Sequence, residues 1–197
     1  MMNNIVYEIN DSLYINATNR CSNSCEFCVR NNKEFVYGDL WLKDEPTVED
    51  VLNRLQTYDL SKYKEVVFCG YGEPTYRMDV IEEVATFAHK MGLKTRINTN
   101  GHANRINEKD VTSIIVKSID TIGISLNDVS HDAYNDICHP IYEDGFEEML
   151  DFAKKCIEKG GNVVFSVVDC IGREKIEEAK KIAASLGATL RIREEIK

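Results

Sequence analysis

Residues 19–28 read Asn19-Arg20-Cys21-Ser22-Asn23-Ser24-Cys25-Glu26-Phe27-Cys28. Three cysteines in the pattern C-x3-C-x2-C follow directly on a short β-like run, Leu13-Tyr14-Ile15-Asn16-Ala17. Intervals of two and three residues let one loop curl its thiolates around a single metal centre. A four-iron cluster normally takes four cysteine thiolates. This loop offers three, so one iron is left an open position at which a metal can meet a small molecule. Zinc sites more often close four ligands with paired C-x2-C and H-x3-5-H spacings. The nearest histidine, His89, is too far along the chain to complete such a pattern. A zinc knuckle or a set of structural thiols remains the alternative.

Outward from the cysteines, β-branched runs alternate with amphipathic helical stretches. The runs predict strands over 13–17, 65–69, 94–98, 121–126, 162–168 and 188–192. Thr47-Val48-Glu49-Asp50 after Pro46 resembles a capping box and starts a helix through Leu55. A helix over 79–91 puts Ile81, Val84, Ala85 and Ala88 on one face, and Gly92 suits its stop. Further helices are expected over 108–116, over 144–159 with Phe146, Met149, Leu150, Ala153 and Ile157 inward, and over 173–186. Strand–helix alternation implies a parallel sheet. A complete eight-fold barrel typically needs about 250 residues, more than the 197 here. The expected fold is α/β, a partial (βα)6 barrel open on one side, with residues 1–197 as a single domain. An open doubly wound sheet is the rival.

In parallel α/β folds, ligands gather at the carboxyl ends of strands. The polar oddities of this chain fall there. The first strand leads to the cysteines, the second to Cys69-Gly70-Tyr71-Gly72-Glu73-Pro74, and the third to Asn98-Thr99-Asn100-Gly101. The fourth ends in Ser125-Leu126-Asn127-Asp128 and the fifth in Asp169-Cys170. Gly70 to Thr75 starts like a G-x-G-x-x-G loop, but Thr75 and Pro74 break that pattern. Glycine admits a ligand close to backbone, and a carbonyl or the Glu73 carboxylate can accept from an ammonium group. Asn98 and Asn100 both donate and accept, which suits ribose hydroxyls or a carboxylate.

The C-x3-C-x-Φ-C pattern, with aromatic Phe27 before the last cysteine, resembles the signature of the radical S-adenosylmethionine (SAM) superfamily. Tyr71-Gly72-Glu73-Pro74 resembles its Gly-Gly-Glu-Pro motif with tyrosine in place of the first glycine. Residues 95–101 and 123–127 are similar to its third- and fourth-strand motifs. The general look and length resemble TatD-associated radical SAM proteins. The resemblance implies a [4Fe-4S] cluster on Cys21, Cys25 and Cys28, with SAM chelating the fourth iron. It assigns Gly72, Glu73 and Pro74 to the amino group of SAM, and Asn98, Asn100, Ser125 and Asn127 to its ribose or carboxylate. Phe27 joins the cofactor site, and Val168, with Val167, packs against adenine. The implied reaction is reductive cleavage of SAM to methionine and a 5′-deoxyadenosyl radical that takes hydrogen from a substrate. An electron donor such as flavodoxin or ferredoxin is implied as partner. The substrate is a small metabolite, or a protein as in glycyl-radical activating enzymes. A non-catalytic iron–sulfur or zinc-binding partner protein is the reading from another class.

Composition bounds these readings. Hydrophobic content of 43% and charged content of 29% are ordinary for a globular chain. A net charge of −9 argues against nucleic acid as default partner. No signal-peptide pattern opens the chain and no apolar run reaches transmembrane length, so no membrane is expected and the cytoplasm is. Seven cysteines, three of them in one loop, argue against a disulfide framework. Cys69, Cys138, Cys156 and Cys170 share no cluster spacing, and most read as small buried residues; Cys69 and Cys170 fall near the expected rim, where redox or substrate chemistry is the other reading. The stretch 30–45, with Arg30, Lys33, Phe35, Tyr37 and the only tryptophan, Trp41, follows the cluster loop and is placed to shape the mouth of the site; Trp41 itself is expected to pack in the core, with a substrate or partner contact as the other reading.

Overall fold

The structure is a computed structural model that describes residues 4–31 and 38–194. Lys33, Phe35 and Tyr37 lie outside the described residues. The chain opens with β1 (Val6–Ile9) and β2 (Ser12–Ile15), an antiparallel hairpin in which Ile9 faces Ser12. Asn10 turns it with φ of 54°, a left-handed conformation asparagine tolerates. Then come β3 (Glu65–Phe68), β4 (Lys94–Thr99), β5 (Thr121–Ser125), β6 (Val163–Val168) and β7 (Thr189–Arg193). These pair in parallel from β2 onward, and the sheet order is β1-β2-β3-β4-β5-β6-β7.

That order decides between the two expected architectures. A doubly wound sheet reverses its strand order at a switch point. Here each parallel strand is followed in space by the next in the chain, the progression of a barrel wall. Among the described residues the wall does not close, and β1 and β7 are its edges. The fold is a partial barrel open on one side. It has one strand more than the six expected. β1 is a four-residue edge strand whose only partner is β2, so it leaves a weak periodic signal.

The helices α1 (Val48–Leu55), α2 (Met78–Lys90), α4 (Thr112–Ser118), α6 (Gly145–Glu158) and α7 (Arg173–Leu186) supply apolar faces for the outer side of the wall. Short α3 (Ala103–Ile106) and α5 (His131–Cys138) lie at the carboxyl rim. The Thr47 capping box is present: Thr47 Oγ1 accepts from Asp50 N at 3.1 Å, and Asp50 Oδ2 accepts from Thr47 N at 2.9 Å. The helix expected over 108–116 is corrected to start at Thr112. Glu108 is left-handed with φ of 52°, and Asp110 Oδ1 accepts from Thr112 N at 2.9 Å. Polar end-capping there defeats the apolar period. The unforeseen α5 is capped by Ser130 and ends with Cys138; His139, left-handed at φ 43°, terminates it.

Pleating decides what each wall residue faces. Outward, Ile97, Ile122, Ile124, Phe165 and Val167 are fully buried against the helices, so Val167 is corrected from an adenine contact to a core residue, because the pleat turns it away from the lumen. Inward positions are mostly polar: Arg96 and Asn98 on β4, Thr121, Gly123 and Ser125 on β5, Ser166 on β6, Arg191 and Arg193 on β7. The lumen is therefore a lined hollow, not a packed core.

Candidate cofactor and metal site

The cysteine loop leaves β2 and is held on two sides. On one side Glu73 N donates to Arg20 O at 2.7 Å. A Cβ built on Gly72 would collide with the carbonyl oxygens of Thr18 and Arg20, so glycine is what lets the loop after β3 lie flat on it. On the other side Ser24 N donates to Cys138 O at 2.9 Å, Glu26 N to Ile137 O at 3.0 Å, and Ile141 N to Ser22 O at 2.9 Å. Residues 137–141 thus form a strap along the loop.

Cys21, Cys25 and Cys28 are half-buried free thiols that line one cavity of about 400 Å³ at the carboxyl end of the wall. Asn23 N lies 3.5 Å and Asn100 Nδ2 lies 3.9 Å from Cys21 Sγ. Burial pushes the Cys21 thiol up to about 12, with the Glu73 carboxylate adding to it. Burial raises Cys28 as well. Cys25 is raised first by its hydrogen bond with the Cys138 thiol and then by burial. Thiols so placed keep their protons unless a cation replaces them, and a metal centre is such a cation. Among the described residues no three metal-ligating side chains converge where a single ion would sit. A single zinc ion would draw thiolates to about 2.3 Å, whereas a four-iron cluster is a larger body whose irons take one thiolate each. Three soft sulfur donors, amide N–H groups turned to sulfur and an open cavity beside them fit an iron–sulfur cluster.

Glu73 is only 3% exposed. Its carboxylate accepts from Thr75 N at 3.1 Å, Thr75 Oγ1 at 2.8 Å, Thr99 Oγ1 at 2.7 Å and Asn100 N at 2.7 Å. Burial raises its carboxyl while these bonds oppose that shift. The side chain thereby clamps the end of β4 to the loop after β3. Pro74, buried beside it, begins a 3-10 turn and does not line the cavity.

Gly72, Asn98, Asn100, Ser125 and Asn127 all line the cavity with the cysteines. Asn100 Nδ2 donates to Ser22 Oγ at 2.7 Å, and Ser22 in turn meets His102 Nδ1 at 3.0 Å. His102 Nε2 lies 2.8 Å from Gly145 O, so that nitrogen carries the proton and Nδ1 accepts from Ser22. Burial holds His102 down at about 4, so the ring is neutral. Asn127 is left-handed at φ 59°. Its amide spans Cys138 Sγ at 3.3 Å and Arg193 Nη2 at 3.5 Å. Phe27 lines this cavity and an adjoining one of about 460 Å³, where Val168, Ile137 and Cys170 also lie. The two hollows share Phe27 and Asn127.

Several features of the site were not foreseen. The strap 137–141 and the Asn100–Ser22–His102 network join segments distant in sequence, and no local spacing signals either. Cys69, expected near the rim, does line the cavity; Cys138 and Cys156 are buried, and Cys170 is exposed. Arg191 and Arg193 had a signal, the alternation of polar and apolar residues along β7, whereas Ser166 is a lone polar residue in the apolar run of β6. Trp41 is 47% exposed, so it is not a core residue; its ring packs edge-on against Tyr71 with centroids 5.3 Å apart.

A family model described as the radical SAM superfamily matches residues 15–186. The chain belongs to the radical SAM superfamily. An uncharacterized protein of Methanocaldococcus jannaschii is 29% identical over 187 residues, covering 89% of this chain and 59% of that one. The tungsten-containing aldehyde ferredoxin oxidoreductase cofactor-modifying protein of Pyrococcus furiosus is 29% identical over 117 residues, 58% of this chain and 28% of its own. This chain thus spans between 28% and 59% of the length of these relatives. Streptococcus suis SuiB bound to its precursor peptide SuiA superposes with a TM-score of 0.75 at 19% identity, covering 97% of this chain and 40% of SuiB. SuiB has also been solved with S-adenosylmethionine bound. The radical SAM family implies a [4Fe-4S] cluster and SAM. Among the described residues no helix is long and apolar enough to cross a membrane.

Proposed function

We propose that this chain is a radical SAM core whose Cys21, Cys25 and Cys28 hold a [4Fe-4S] cluster and whose adjoining hollows hold SAM. The observation that carries the reading is that all three thiols share one cavity with Gly72, Asn98, Asn100, Ser125 and Asn127. When bound, the reduced cluster supplies the electron that splits SAM into methionine and a 5′-deoxyadenosyl radical, which removes hydrogen from a substrate.

The chain's own residues orient and exclude. Gly72 and the carbonyls around it accept the amino group, since the Glu73 carboxylate already holds β4. Asn98 and Asn100 offer amides, Ser125 and Asn127 lie along the path to the second hollow, and Phe27 and Val168 flank the space for a planar base. Gly123 lacks a Cβ that would meet Asn98 Oδ1 at 3.1 Å and narrow the lumen. An electron donor such as flavodoxin or ferredoxin and a cytoplasmic setting complete the proposal.

Anaerobic reconstitution tests it. With SAM and dithionite the protein should form 5′-deoxyadenosine and hold about four irons and four sulfides. Cys25→Ala should lose both. Deoxyadenosine made by that variant, or zinc without sulfide in the native protein, would overturn the reading.

A further inference from the structure

We infer that the lumen takes a small substrate through an oxyanion, a carboxylate or a phosphate, seated on Arg191 and Arg193. The inference rests on the proposed reading only in placing substrate beside SAM. Arg191 and Arg193 are two apart on β7, so both side chains leave the same face of the strand. Both line the cavity that holds the three thiols. Among the described residues neither lies within ion-pair distance of a carboxylate. Arg96, deeper in the same wall, is different: Glu65 Oε1 lies 2.8 Å from its Nη2. Among the described residues the one carboxylate lining the cavity, Glu73, is consumed by Thr75, Thr99 and Asn100.

Arg193 is half-buried, and its Nε is buried without a hydrogen-bond partner. Among the described residues its polar contact is Nη2 to Asn127 Oδ1 at 3.5 Å, a long bond to a neutral amide. Burial disfavours the Arg193 cation most; the Cys69 sulfur nearby opposes that shift, and the Arg191 charge beside it adds to it. Leaving a buried donor and a cation uncompensated is costly. In a chain of net charge −9, surface carboxylates were abundant enough to pair it. Guanidinium forks match carboxylate and phosphate geometry, often with two parallel hydrogen bonds. Ser166, directly across the register from Arg191 and also lining the cavity, adds a hydroxyl donor.

The test uses reconstituted holoenzyme saturated with SAM and isothermal titration with succinate, inorganic phosphate and neutral succinamide. Succinate or phosphate should bind saturably and succinamide should not; which of the two binds identifies the oxyanion. Arg193→Gln and, at the more exposed position, Arg191→Gln should each weaken that binding about tenfold. No oxyanion binding to the native protein, equal binding of succinamide, or unchanged affinity in both variants would overturn the inference. Displacement of SAM by the probe would overturn it too, because the arginines would then serve the cosubstrate's own carboxylate. Deoxyadenosine formation is measured on the same native preparation. Its absence alongside oxyanion binding would sink the radical reading and leave this site standing; its presence without oxyanion binding would do the reverse.

Discussion

Gly72 shows how much of the site depends on one missing side chain. Its backbone meets that of Thr18 and Arg20 so closely that a methyl group would sit 2.5 Å from the Arg20 carbonyl oxygen. Gly72→Ala must push the two loops apart, and overpacking of this kind costs about 1–3 kcal/mol. Denaturant unfolding should register that loss, and iron content after reconstitution should fall with it. A variant of native stability and native iron content would show that the contact does not matter. The neighbouring Glu73 was legible as a site residue from its motif, but not its role. Its carboxylate could be read as an acceptor for a ligand, yet four donors from Thr75, Thr99 and Asn100 already occupy it. Spacing along the chain reveals which groups are polar; it does not reveal which partners reach them first.

The elements that carry the site are coupled through buried polar contacts. His102, just after β4, accepts from Ser22 in the cysteine loop and donates to Gly145 at the start of α6. Its folded pKa of about 4 lies below the ordinary 6.5 because burial disfavours the charged ring. As pH falls, the unfolded chain takes up the proton first. The stability this neutral ring contributes is therefore complete above about pH 6.5 and lost between there and about pH 4. The whole loss amounts to roughly 3 kcal/mol. Unfolding midpoints measured from pH 7 to 4.5 should drop more steeply for the native protein than for His102→Asn. Parallel curves would remove His102 as the cause. The helices with long apolar periods, such as α6 and α7, were legible because burial repeats every three to four residues. The strap after α5 was not, since its backbone bonds to the cysteine loop use no distinctive side chain.

Across the whole molecule, the hollow is assembled from the carboxyl ends of most of the strands, so a ligand filling it ties together loops that are far apart in sequence. SAM should therefore raise the melting temperature of the reconstituted protein by mass action. At a hundred times Kd the gain is about 2.7 kcal/mol. A melting temperature independent of SAM concentration would count against binding in this cavity. The parallel sheet follows from the alternation of strands and helices, but the strand order running in step with the chain, and the failure to close, do not. The wall ends at β7, whose Arg191 and Arg193 line the lumen.

The amino-acid order alone determined the α/β class, the ends of most elements and the loop of three thiols. Those features arise from interactions within a few residues: helical and strand periods, capping side chains, and cysteines spaced to share one centre. Only the tertiary structure decided that Glu73 is a clamp, that residues 137–141 brace the cysteines, and that Arg191 and Arg193 line the lumen with no ion-pair partner among the described residues. Each of these depends on strand register and on the approach of distant segments, and those are set by the packing of the whole sheet rather than by any neighbour in the chain.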